Sequence, residues 1–255
     1  LWMSLSEAAR TKISAFPVSI SRIGFGKEGD EKWVGLDASV DFGKGIGPSA
    51  SVKGLRVFFD GPPGVHLTFE GIELSLQRPG FGFHGFVSMT SGADATGVAD
   101  PSDKTFRGDV SLAIASGVGV VLEGSVLFGT KAGTRFGFVS LDATFGSGIP
   151  ICASVTWLGA ALLAGINVNP DRTLAGEQGD DFNWYQHWYA PSPAAFSILS
   201  SRKWAPVEDG WALGAGVTIG SSDGKAWSLR ALLAVIAPGP VVIIEGRLRL
   251  LETRE

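Results

Sequence analysis

Gly61-Pro62-Pro63-Gly64-Val65-His66-Leu67-Thr68-Phe69-Glu70-Gly71 sets the plan of this chain, because a run of the same kind returns twice. The second run is Ser116-Gly117-Val118-Gly119-Val120-Val121-Leu122-Glu123-Gly124, and the third is Pro238-Gly239-Pro240-Val241-Val242-Ile243-Ile244-Glu245-Gly246. Each is a Gly/Pro turn, an apolar β-branched stretch and a Glu-Gly pair, followed by another apolar segment. Gly and Pro set turn dihedrals, while Val and Ile suit a pleated surface. A Gly inside a strand pattern marks a bulge or a close backbone approach. The unit therefore reads as strand, bulge, strand, with bulges expected at Glu70-Gly71, Glu123-Gly124 and Glu245-Gly246. It names no reaction.

Composition points the same way. Of 255 residues, 36 are Gly, about twice the usual share, and charged residues are 18% against a typical ~25%. With 45% hydrophobic residues the chain has ample apolar surface to bury, so disorder is excluded. The net charge is −4 with scattered Lys and Arg, which argues against nucleic acid as a partner. The single cysteine, Cys152, excludes an internal disulfide framework and is expected to be a small buried apolar residue. No basic-then-apolar export signal is visible after Leu1, which leaves a cytoplasmic or membrane-associated setting. A start at Leu points to a piece of a longer chain.

Alternation extends the strand reading along the chain. Residues 4–14 are expected to be a short helix capped by Ser4 or Ser6, with Glu7 in its first turn. In the stretch 33–42, Val34, Leu36, Ala38, Val40 and Phe42 share one face and Asp37, Ser39 and Asp41 the other, a half-solvated antiparallel strand. Residues 91–104 read as a polar loop. In the hairpin that follows, Leu112, Ile114, Val118, Val120, Leu122, Val126 and Phe128 fall on one parity and form an apolar face. Ala113, Ala115, Gly117 and Gly119 fall on the other, and small residues let a sheet curve tightly. A second recurrence links Leu36-Asp37-Ala38-Ser39 to Leu141-Asp142-Ala143-Thr144, each leading into a Phe-Gly turn. The uncharged stretch 143–170 is long enough for a membrane helix, but Pro150 and the alternation of Ile151, Ala153, Val155 and Trp157 make it strand.

Residues 169–210 break the pattern. Asp180, Asp181, Trp184, Tyr185, His187, Trp188 and Tyr189 form the candidate ligand platform, where aromatic faces would stack on sugar or lipid and carboxylates accept hydroxyl bonds. The competing reading is a cap whose aromatic residues plug the sheet. A helix is expected near 193–201. His66, His84 and His187 lack metal spacing, so neither metal nor cofactor is expected. No serine elbow or phosphate loop is present.

At the Glu-Gly hairpins, and at Ala164-Gly165-Ile166-Asn167-Val168-Asn169 followed by Arg172, the chain resembles a family of very large, uncharacterised bacterial β-rich repeat proteins. The resemblance implies a segment of a longer repeat protein without a known activity. The expected fold is all-β: a curved antiparallel sheet or flattened sandwich of repeated hairpins with a few short capping helices. The expected divisions are 1–168, the aromatic insert 169–210 and the closing hairpins 211–255, within one continuous domain. The expected function is non-enzymatic, an apolar sheet face serving as a groove for lipid or another apolar ligand. The alternative is an assembly segment that packs against neighbouring repeats or self-associates; a polysaccharide-binding or -cleaving domain using the insert is a lesser one. An outer-membrane barrel is disfavoured, because lumen-facing positions should be polar and many here are Ala and Gly.

Overall fold

The computed structural model describes residues 1–5, 18–41, 48–59, 64–93, 99–115, 117–172, 185, 188–189, 197–222 and 226–251. Contacts divide the chain into two compact units, Leu1–Thr90 and Ser91–Glu255. The strands on either side of the insert pair directly with each other.

The first unit holds β1 (Trp2–Ser4), β2 (Val18–Glu28), β3 (Glu31–Asp41), β4 (Pro48–Phe59), β5 (His66–Thr68), β6 (Gly71–Arg78) and, as far as Thr90, β7 (Phe81–Ala93). They pair antiparallel in the order β1-β2-β3-β4-β6-β7, with β5 also on β4. Ser4 belongs to β1 and pairs with Arg22, so a helix does not begin there. The rest of the expected helix lies outside the described residues. Asp37 anchors this unit. The register slips beside it on both neighbours, between Ile20 and Arg22 and between Leu36 and Ala38. Its carboxylate takes up the disturbance, accepting from Arg22 Nε at 2.6 Å and from the Gly54 amide at 2.7 Å. Gly54 sits at φ +62, a conformation that favours glycine, and a side chain there would also displace that of Glu70 at 2.4 Å.

The second unit holds β8 (Ala99–Ile114), β9 (Val120–Lys131), β10 (Thr134–Cys152), β11 (Val155–Pro170), β12 (Trp204–Gly220), β13 (Trp227–Ala237) and β14 (Val241–Leu250). Each pairs antiparallel with the next, in chain order, and the path is open at β14. It is one hydrogen-bonded sheet, not a sandwich of two. The turns are short because the chain meets the twist of its strands. Ala132 (φ 48) and Gly133 (φ 79) join β9 to β10 as a two-residue turn with both residues left-handed. Of the polar loop expected at 91–104, β7 takes in residues up to Ala93 and β8 those from Ala99, a correction there, and 94–98 lie outside the described residues. Cys152 is exposed at the end of β10, a correction to its expected burial, because the hairpin tip lies past the packed part of the sheet.

One face of this sheet is covered by the insert. Residues Ser197–Leu199 and Ser201–Lys203 are 3-10 turns, not an α-helix, and the remainder of the expected 193–201 helix lies outside the described residues. Trp188, Ile198, Leu199 and Trp204 pack on Leu127, Phe138, Leu163, Ala212, Leu232 and Ile236 as one core. Trp204 stacks on Phe138 with centroids 4.8 Å apart and meets Trp188 edge-on at 5.9 Å. Both indoles keep a partner: Trp188 Nε1 donates to the Lys203 carbonyl at 2.6 Å and Trp204 Nε1 to that of Ile198 at 2.8 Å. Ser201 N donates to Ser125 Oγ at 2.9 Å, and Ser140 Oγ donates to the Leu199 carbonyl, so buried backbone in the insert is satisfied by the sheet.

The sheet curls toward this covered face. Arg230 on β13 pairs with Asp142 on β10, two strands away from being neighbours. Three strand spacings put those strands about 14 Å apart on a flat sheet. Between them on this face lie Ala161 and Gly216, in register with Asp142, and Gly214 beside Ala234. Small residues leave the room that curvature needs. If the insert is the core, Trp204→Ala destabilises the protein by about 3–5 kcal/mol, whereas Leu213→Ala on the opposite face costs less than about 0.5 kcal/mol. Urea unfolding of the two variants checks this; equal losses would place the core on the wrong face.

Candidate functional site

The opposite face of the second unit is the candidate site. The register aligns its side chains in rows running across the strands. One row reads Phe106, Phe128, Gly137, Ile166 and Trp211 from β8 to β12. The middle rows are Val126, Val139, Ala164, Leu213, Val235 and Val242; then Val110, Leu141, Leu162, Ala215, Leu233 and Ile244; then Leu112, Leu122, Ala143, Ala160, Val217 and Ala231. The far end carries Ile114, Val120, Phe145, Trp157, Ile219, Leu229 and Leu248, with Trp227 beyond. No charged residue interrupts these rows. Many of the side chains are bare: Ile244 is 81% exposed, Ile166 69% and Leu213 61%.

The buried charges lie on the covered face, while Lys104 and Arg135 stand beyond the Phe106 row at one end of the apolar one. Arg107 donates from Nη2 to the Trp204 carbonyl at 3.0 Å and from Nη1 to that of Ser201. Asp109 accepts from Ser125 Oγ at 2.7 Å. Glu245 is 6% exposed and lies 2.8 Å from Arg247. Tyr189, from the insert, faces this pair. Burial, then the adjoining Glu245 carboxylate, push its phenol up to about 12.

The first unit sorts its residues likewise. Phe25, Val34, Val57 and Leu67 lie in one row, and Ala38, Val52, Ile72 and Val87 in another. On its reverse, Arg22 lies 4.3 Å over the Trp2 ring and Arg56 5.1 Å over Trp33. Asp37 pairs with Arg22 as Asp142 does with Arg230, so the two Leu-Asp-Ala segments place like residues on like faces.

The residues singled out by the sequence divide as follows. Leu112, Ile114, Val120, Leu122, Val126 and Phe128 share the apolar face, and Val118 lies in the turn before β9. Of the ligand platform, Trp188 is fully buried, so it offers no face to a ligand. That corrects the platform expectation at this residue: an indole with a satisfied N–H inside a core is worth more as packing. Tyr185 is exposed and Tyr189 half-buried. Asp180, Asp181, Trp184 and His187 lie outside the described residues. The three Glu-Gly pairs differ. Glu70 precedes a new strand at Gly71 and sits 3.6 Å from Arg56. Glu123-Gly124 and Glu245-Gly246 lie in unbroken register, a correction to the expected bulges, since a glycine in a strand is also tolerated where large neighbours overhang it. Gly124, for example, lies under Val110 and Leu141. Sequence reading did not find Arg107, Arg230 or the Glu245–Arg247–Tyr189 group, whose partners are distant in the chain; strand parity alone would have put these charges on one face.

Tyr185 and Tyr189 are the only tyrosines, which makes the buried group measurable. In a Tyr185→Phe variant, phenolate absorbance should appear near pH 12, and adding Glu245→Gln should move it toward the ordinary ~10. The folded state holds this proton longer than the unfolded one, so its contribution to stability is complete below pH ~10 and is lost as pH rises toward 12. A midpoint unmoved by Glu245→Gln would detach Tyr189 from β14.

Neither a curated protein nor a solved structure matches the chain. Its residues 11–251 match a family of unknown function (DUF6603). That match covers nearly the whole sequence, and the chain belongs to this family.

Proposed function

We propose that this chain is a non-enzymatic β segment whose apolar sheet face receives lipid or another apolar ligand. The supporting observation is the extent of that face. Six strand spacings from β8 to β14 give about 29 Å, and eight residue steps from Trp211 to Ile219 about 26 Å. The largest apolar patch on a typical soluble monomer is about 300–600 Å², and this face exceeds it. Burying one such side chain is worth about 1.5–3 kcal/mol, so exposure on this scale is costly unless something apolar covers it. The ligand meets the face that bends outward, since the inward-bending one is occupied by the insert. An assembly role, in which another sheet covers the same rows, is the second reading, and Ile244 on the last strand favours it as much as it favours lipid. The polysaccharide reading loses weight with Trp188 in the core.

Native mass spectrometry and lipid extraction of detergent-free protein should find bound acyl lipid in stoichiometric amount. The double variant Leu213→Asp, Ile244→Asp should retain at least tenfold less while leaving the insert core and its unfolding midpoint in place. A lipid-free mass for the unaltered chain, together with self-association that the double variant abolishes, would sink the lipid reading in favour of assembly.

A further inference from the structure

The pattern within the apolar face goes beyond a demand for apolar cover. We infer that the face is built to span the hydrocarbon of a bilayer, with its two ends at the two polar boundaries. This inference rests on the lipid reading and narrows it from lipid in general to lipid as a layer.

Three observations carry it. The first is length. From Trp211 to Ile219 the apolar rows occupy nine residues of β12, and a membrane-crossing strand needs about 9–11, tilted by about 45°. The second is the position of the aromatic side chains. The three middle rows contain none. Phe106, Phe128 and Trp211 stand at one end, and Phe145, Trp157 and Trp227 at the other. Phe145 and Trp157 touch edge-on at 5.2 Å. A flat protein partner gives no reason to clear aromatics from the centre of a contact, where they are usually concentrated. A bilayer does, because aromatic rings are enriched at both of its interfaces.

The third is that both faces are apolar. A curved sheet that buries its core on the inward side leaves its outward side to water and makes it polar. Here the inward side already buries the core with the insert, together with Arg107, Asp142, Arg230 and Glu245, yet the outward side is hydrocarbon as well. By composition alone, Ala and Gly are too apolar for the lumen of a membrane barrel. In the structure Ala161, Gly214 and Gly216 share their face with those charges and serve to let it curve. A bilayer tolerates no unpaired strand edge, so in the inserted form the outer edge of β14 is paired by a strand of a second copy of this chain, which the vesicles below also contain.

Depth-dependent quenching tests this. In a Cys152→Ser background, Ala237→Cys, Leu233→Cys and Leu248→Cys place a fluorophore at one end, the middle and the other end of the face. Glu123→Cys places it on the covered face. In phosphatidylcholine–phosphatidylglycerol vesicles, the Leu233 site should be quenched most by a spin label deep in the acyl chain, by at least about twofold over a shallow one. The Ala237 and Leu248 sites should show the reverse order, and the Glu123 site should be quenched by neither. All three face positions at one shallow depth, with lipid still retained, would overturn spanning and leave the lipid reading intact. No quenching at any of them, with no lipid retained, would overturn both. Polarised infrared spectra of the unaltered chain in supported bilayers avoid the substitutions. Strands tilted about 35–45° from the normal are expected, and strands lying in the membrane plane would refute the inference.

Discussion

A strand turns successive side chains to opposite sides, and in this protein that strict period does most of the sorting. Seven consecutive strands keep step, so the middle rows of one side of the second unit are wholly apolar and its buried charges gather on the other. One misplaced residue within a strand would send a carboxylate into the hydrocarbon rows and an isoleucine among the arginines. The six register slips among the described residues therefore matter as much as the pairing. They occur next to Asp37, near Gly148 and at Asn167, where a local hydrogen bond or a left-handed residue absorbs the extra residue. Asn167, for instance, donates to the Arg135 carbonyl and accepts from the Asp209 amide.

Once the faces are sorted, the covered side faces a second difficulty. A sheet that curls over charges needs something that offers both apolar bulk and hydrogen-bonding groups. The insert supplies the two together. Its indoles fill the hollow left by Ala and Gly, while its carbonyls accept from Arg107 and Ser140. Buried serine hydroxyls and backbone amides satisfy one another, so the desolvation cost of polar groups is met locally.

The fold was legible where the evidence for it is local. The parity of Leu112 to Phe128 and the turn residues between strands carry their structure within a few positions. Sequence could not show which face would be covered, because that depends on Trp188 and Trp204 arriving from elsewhere in the chain. The recurring Glu-Gly pair misled for a related reason. The same dipeptide lies between two strands at Glu70, in open strand at Glu123 and in a buried ion pair at Glu245, since what surrounds it is decided by neighbouring strands. Cys152 was misjudged because its type favours burial while its place at a hairpin tip does not.

The insert touches strands at opposite ends of the second unit. Arg107 on β8 is bonded to Ser201 and Trp204, 94 and 97 positions away, and Tyr189 packs against the strand that comes last. Such a strap has no binding surface until the strands beneath it are side by side, and closing loops of that length is slow. It belongs to the late part of folding. Interactions formed after the transition state do little for the speed of folding and act mainly on the rate of unfolding. The aromatic strap thus behaves as a latch on a finished sheet: it sets how long the curved form lasts, while the strands themselves set how fast it is reached.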